Sequence, residues 1–91
     1  MDKITIIIPC RNEEKFIRGC LDSVINNDYP KVKLEVFVID GISSDKIPEI
    51  IKEYKRKYKY IHLITNDKKT VPNAMNLGIE KSSGEFIIRL D

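Results

Sequence analysis

Ile4-Thr5-Ile6-Ile7-Ile8 is an almost wholly apolar, β-branched run, and no other feature restricts the fold of this chain as tightly. A strand with one wet face alternates apolar and polar residues. A continuous run of this kind needs cover on both faces, which parallel sheets flanked by helices provide. Three further runs follow, Leu34–Ile39, Ile61–Thr65 and Glu85–Leu90, with helically patterned segments between them. The β-α-β-α-β-α-β order predicts parallel strands joined by right-handed crossovers. The expected architecture is a three-layer α/β/α half-sheet of about four strands in the order 3-2-1-4.

Local chemistry sets the expected boundaries. Pro9 should end the first strand, because it cannot donate to a ladder. Asn12 is the expected N-cap of the first helix, with Glu13 and Glu14 at its positive end. That helix runs to about Asn27 with Phe16, Ile17, Cys20, Leu21, Val24 and Ile25 on one face, and Asn26-Asn27-Asp28-Tyr29-Pro30 breaks it. Ser44 or Asp45 can cap the second helix, and Pro48 suits its first turn. A third helix spans about Asn73 to Lys81, ended by Ser83-Gly84.

The 91 residues allow one domain, near the size at which roughly 60–65% of the unfolded surface is buried on folding. Apolar runs fall far short of the ~20 residues needed to cross a bilayer, and the first strand is too short for a secretory signal. Cys10 and Cys20 lack metal-ligand spacing and read as reduced thiols. A net charge of +2 does not argue for nucleic acid. The basic run Lys52–Lys59 shares its helix with Ile47, Ile50, Ile51, Tyr54 and Tyr58 at helical spacing, so its cations fall on the solvated face. His62 has no partner at metal spacing and reads as structural.

In sheets of this topology, ligands bind beyond the carboxyl ends of the strands, where successive connections leave for opposite faces. That point lies between the first and fourth strands. The strand ends deliver Arg11, Glu13, Asp40 and Asp91 to one rim, which suits a polar ligand. No G-x-G-x-x-G or G-x-x-x-x-G-K-[ST] motif is present, so side chains and strand-end backbone would have to hold any nucleotide, with a divalent cation bridging phosphates to an aspartate.

Three stretches carry a family resemblance: ITIIIPCRNEEKFIRGCLDSVINNDYP, LEVFVIDGISSD and PNAMNLGIEKSSGEFIIRLD. In this order and spacing the chain resembles the nucleotide-binding, Rossmann-like half of a family-2 glycosyltransferase of the GT-A fold. Among these it looks most like the transferases that build bacterial exopolysaccharides of the succinoglycan type. The resemblance implies that Pro9, Arg11 and Glu13 line a base and ribose pocket and that Asp40 takes part in nucleoside recognition. It implies that Asp91 is the first aspartate of an Asp-X-Asp motif, contacting ribose and helping to hold Mg²⁺ or Mn²⁺. The implied ligand is a nucleotide sugar, UDP-linked by expectation, and the implied place is the cytoplasm, at the inner face of the membrane in a longer protein.

Two departures qualify this resemblance. Many relatives carry two aspartates after strand two, and here Gly41 stands second, so base contact through that position is lost or moves to backbone. The chain also stops at Asp91. Residues 1–91 are therefore expected to be a truncated nucleotide-sugar-binding domain without transferase turnover of its own, and Glu85–Leu90 an edge strand prone to self-association. Lys68 and Lys69 could reach a diphosphate, or could be exposed loop lysines; Lys69 is taken as the candidate. Asn76 matches a recurrent family asparagine, or hydrogen-bonds nearby backbone. Cys10 reads as pocket wall rather than nucleophile. The competing reading is a small stand-alone α/β binding or regulatory module resembling a receiver domain, although the third strand ends in Thr65-Asn66 rather than a phosphoacceptor.

Overall fold

A computed structural model describes residues 2–90. Its elements are β1 (Ile4–Cys10), α1 (Glu14–Ile25), a 3₁₀ turn (Lys31–Lys33), β2 (Leu34–Asp40), α2 (Ile47–Lys57), β3 (Ile61–Thr65), α3 (Val71–Lys81) and β4 (Phe86–Arg89). The strands form one parallel sheet in the order β3-β2-β1-β4, as the apolar runs predict.

Two cores explain why β1 and β2 need no polar alternation. On one face, Ile6, Ile8, Val36 and Val38 pack with Ile17, Leu21 and Val24 of α1 and Ile47, Ile50 and Ile51 of α2. On the other, Ile7, Phe37 and Ile39 pack with Ala74 of α3. Gly78 brings α3 onto the sheet, since a Cβ there would lie 2.6 Å from Ile7 Cδ1. The α3–β4 connection is pinned by Glu35, which accepts hydrogen bonds from Thr5 Oγ1, Ser83 N and Ser83 Oγ, each at 2.8 Å. Gly84 passes so close to β1 that a Cβ would lie 2.7 Å from the Thr5 nitrogen.

Some boundaries differ from expectation. Pro9 does not end β1; it sits within the strand, opposite Ile39. Ile7 O accepts from Leu90 N while Cys10 O accepts from Gly41 N, so odd residues of β1 turn toward β4 and even ones toward β2. The missing N–H of Pro9 thus faces β4, past the described pairing that ends at Ile7↔Arg89, and the bonds between β1 and β2 are untouched. Helix α1 ends at Ile25 rather than Asn27. Helix α3 begins two residues early, at Val71, because Thr70 caps it by accepting from Asn73 N and Pro72 fits the first turn.

Asn12 is not the cap of α1. Glu13 occupies that position without a side-chain bond, and Asn12 is left-handed at φ 53°. The cap comes instead from Asp45, whose Oδ2 accepts from Glu14 N at 3.1 Å while its Oδ1 accepts from Ile47 N at 3.0 Å. One carboxylate therefore serves the starts of both α1 and α2.

The lysines and arginine of α2 and its C-terminal end, Lys52 to Lys59, are exposed opposite buried Ile47, Ile50 and Ile51, as their spacing predicts. His62 packs its ring against Phe37, centroids 5.5 Å apart. No described helix is long and apolar enough to cross a membrane.

Candidate functional site

Three connections leave the carboxyl ends of β1, β2 and β3, and they meet. A cleft of ≈ 80 Å³ opens there, lined by Pro9, Arg11, Glu13, Gly41 and Lys69 among others. Its apolar wall comes from Ile39 and from Val71 and Ala74 at the start of α3. The absence of a side chain at Gly41 permits this convergence, since a Cβ would lie 3.3 Å from both Arg11 Cδ and Lys69 Cα. Arg11 completes the contact by donating from Nε to Gly41 O at 3.0 Å.

Each of the three loops has a non-glycine residue in the left-handed region: Asn12 at φ 53°, Ile42 at 57° and Lys69 at 64°. That conformation is uncommon for ordinary residues and strained for a β-branched one such as Ile42. Hydrogen bonds between loops hold it. Asn12 N donates to Ser43 Oγ at 2.8 Å, and Ser44 N donates to Asn12 Oδ1 at 2.7 Å. In the third loop, Asn66 N donates to Asp40 O at 2.8 Å, Asn66 Nδ2 donates to Thr70 O at 2.9 Å, and Lys69 N donates to Asn66 O at 3.2 Å.

The structure gathers Pro9, Arg11, Glu13, Gly41 and Lys69 around one cleft. Asp40 stands apart from them. Its side chain is buried at the end of β2 and accepts from Ser43 N and Ser43 Oγ, so its carboxylate is engaged in holding the loop that follows. Asp91, expected to hold a metal, lies outside the described residues. Asn76 lines a separate groove beside α3, with Asn73 and Glu80.

Asn66 is the cleft residue that sequence reasoning passed over. It is 2% exposed, lines the cleft and anchors the third loop. Its place directly after β3 marks it for the same rim as Arg11, and an uncharged side chain so near Lys68 and Lys69 is the weaker sequence signal of a ligand site.

Cys10 also lines the cleft, as expected of pocket wall, and its thiol is pushed up to about 12, first by burial and then by the negative charges of Asp40, Glu13 and Asp45. A thiol so poorly ionised is no nucleophile at neutral pH. Among the described residues, no group of three or more His, Cys, Asp or Glu could hold a metal ion. Asp40 and Asp45 are committed to hydrogen bonds within the loops, which leaves Glu13 as the carboxylate lining the cleft. The described residues alone do not fit a cation.

The profile of glycosyl transferase family 2 matches residues 5–91. The dolichyl N-acetyl-alpha-D-glucosaminyl phosphate 3-beta-D-2,3-diacetamido-2,3-dideoxy-beta-D-glucuronosyltransferase of Methanococcus voltae is 43% identical over 90 residues, covering 97% of this chain and 28% of the relative. The structure of S. aureus TarS 1-349 in complex with UDP-GlcNAc superposes with a TM-score of 0.86 at 29% identity, covering 98% of this chain and 26% of that one. The mannosyltransferase PcManGT from Pyrobaculum calidifontis, in complex with GDP-Man and Mn²⁺, gives a TM-score of 0.87 at 28% identity, covering 94% and 26%. The chain spans between 23% and 29% of the length of the first three curated relatives. The parallel 3-2-1-4 sheet, the rim that gathers its loops and these matches agree, and the chain belongs to glycosyl transferase family 2.

Proposed function

We propose that the chain is the donor-binding portion of a nucleotide-sugar-dependent glycosyltransferase acting in polysaccharide or glycoconjugate synthesis. The observation that carries this reading is the cleft at the strand ends, where Arg11, Glu13 and Lys69 share the lining with an apolar wall. A nucleoside diphosphate has complementary parts. The two cations suit the diphosphate, the Glu13 carboxylate suits a hydroxyl or N–H donor, and the wall of Pro9, Ile39, Val71 and Ala74 suits the faces of a base and ribose. Similarity to a UDP-GlcNAc-bound transferase supports a UDP-linked donor.

Asp40 enters this reading through the resemblance and through its place beneath the rim. Asp91 is the position we assign to the divalent cation, Mg²⁺ or Mn²⁺, in keeping with the Mn²⁺ of the mannosyltransferase neighbour. We assign the chain to the cytoplasm, with the inner face of the membrane its place within a longer protein. Self-association through strand 85–90 belongs to the same proposal, because β4 lies at the sheet edge with Phe86, Ile87 and Ile88 56%, 41% and 46% exposed. Light scattering that rises with concentration would support it; a monomer at high concentration would remove it.

Titration calorimetry with UDP at low salt tests the site. Binding is expected, weakened about 10- to 150-fold by R11A and by K69A, since hydrogen bonds to charged groups contribute about 1.5–3 kcal/mol. Undetectable UDP binding by folded protein would overturn the reading, and so would binding indifferent to both substitutions.

A further inference from the structure

Arg11 and Glu13 reach the cleft from either side of a residue that is absent from its lining. Asn12 is exposed and left-handed, and its polar groups are spent on the neighbouring connection. Its N–H donates to Ser43 Oγ, and its Oδ1 accepts from Ser44 N at 2.7 Å and from Ser44 Oγ at 3.3 Å. Ser43 Oγ in turn donates to Asp40. The first loop is thus stapled to the second on the α1 side by Asn12, and on the cleft side by the bond from Arg11 Nε to Gly41 O.

A left-handed residue reverses the chain locally. At position 12 that reversal puts Arg11 and Glu13 against one opening, while Asn12 itself turns to Ser43 and Ser44. Asparagine tolerates this conformation better than most residues, and its short amide reaches the backbone of the neighbouring loop where a longer side chain would overshoot. The bond from Glu14 N to Asp45 Oδ2 also joins these two connections, at the start of α1, but Asn12 is the residue that joins them between Arg11 and Glu13.

We propose that Asn12 is a positioning residue: by bonding Ser43 and Ser44 it sets Arg11 and Glu13 in the geometry with which the cleft takes a nucleoside diphosphate. This rests on the donor-binding reading above, and it adds a residue that does not touch the ligand. Asn12→Gly isolates the effect. Glycine keeps the left-handed backbone without strain and the N–H that donates to Ser43 Oγ, and deletes the carboxamide whose Oδ1 accepts from Ser44.

Two measurements are made on the purified protein: UDP affinity, and the NMR resonance of the Arg11 Nε–H, which reports its bond to Gly41 O without any ligand. N12G is expected to shift or broaden that resonance and to weaken UDP about tenfold. An unchanged Arg11 resonance in folded N12G overturns the inference whatever happens to UDP, since Asn12 would then act by another route. If wild type binds no UDP, the donor-binding reading fails; the Arg11 resonance still decides whether Asn12 positions it. Should N12G fail to fold, N12D replaces it, keeping an acceptor and a tolerance for φ near 53°. N12D is expected to retain the wild-type Arg11 resonance, and its loss would overturn the inference.

Discussion

Asp45 offers the sharpest test of how the rim is built, because its two oxygens accept from the first turns of two different helices. In Asp45→Ala both the Glu14 and Ile47 N–H groups lose their partner. A side-chain cap is worth about 1 kcal/mol, and a carboxylate beside a helix N-terminus adds roughly 0.3–1 kcal/mol per helix. The two effects overlap, so the expected loss is about 2–3 kcal/mol. For a domain of this size each kcal/mol moves the midpoint by about 4–8 °C, which places the fall in Tm at roughly 8–24 °C. Thermal unfolding followed by far-UV circular dichroism reads it directly. Asp45→Asn keeps one acceptor oxygen and should recover about half of the loss. Thr70→Ala, which removes a single cap formed at 3.4 Å, should cost less than either, about 0.5–1 kcal/mol. A D45A protein within about 0.5 kcal/mol of wild type would refute the double cap, as would D45N melting with wild type.

Three further outcomes follow from other sites. Burial works to raise the Glu35 carboxyl, yet the hydrogen bonds from Ser83 and Thr5, helped by Lys3, hold it below the ordinary glutamate value. The stability it adds is therefore present above that ordinary value and is lost as pH falls through the lower one. A Tm–pH profile of wild type should show this acid loss and E35Q should flatten it; superimposable profiles would refute the assignment. Cys10, raised to about 12, should resist iodoacetamide in native protein at pH near 8 and react once unfolded, with the Cys10 peptide followed by mass spectrometry. Ready native alkylation would contradict its burial. Tyr60 Oη is buried without a hydrogen-bond partner among the described residues, so Tyr60→Phe should be neutral or stabilise by up to about 1 kcal/mol; a clear loss in chemical denaturation would reveal a missed partner.

The sheet was legible because its signals are local. The unbroken run of β1 declares two-sided burial, and Ile6, Ile7 and Ile8 are indeed buried while α1, α2 and α3 cover the two faces. Strand β4 carries the same kind of run but is exposed along Phe86–Arg89, because edge position is a property of the whole sheet and leaves no mark on four residues. Within the site, Arg11, Glu13 and Lys69 could be placed by topology alone, since strand ends of a parallel sheet share a rim. The cap of α1 could not. Asp45 lies 31 residues from Glu14, and the nearer Asn12 offered the customary cap chemistry while its side chain was bound to Ser44. Val71-Pro72 hid the start of α3 in the same way, since both residues read as extended until Thr70 is seen capping the helix.

Parallel strands join as a zipper does, each bond setting the register for the next. In β1 the zipper toward β4 meets Pro9, which has no proton to offer on that side. The last described bond along this seam is the one from Leu90 N to Ile7 O. At Pro9 the central strand keeps a carbonyl that can accept on the β4 side but offers no donor in return, so that position carries at most one bond across the seam where a ladder residue would carry two.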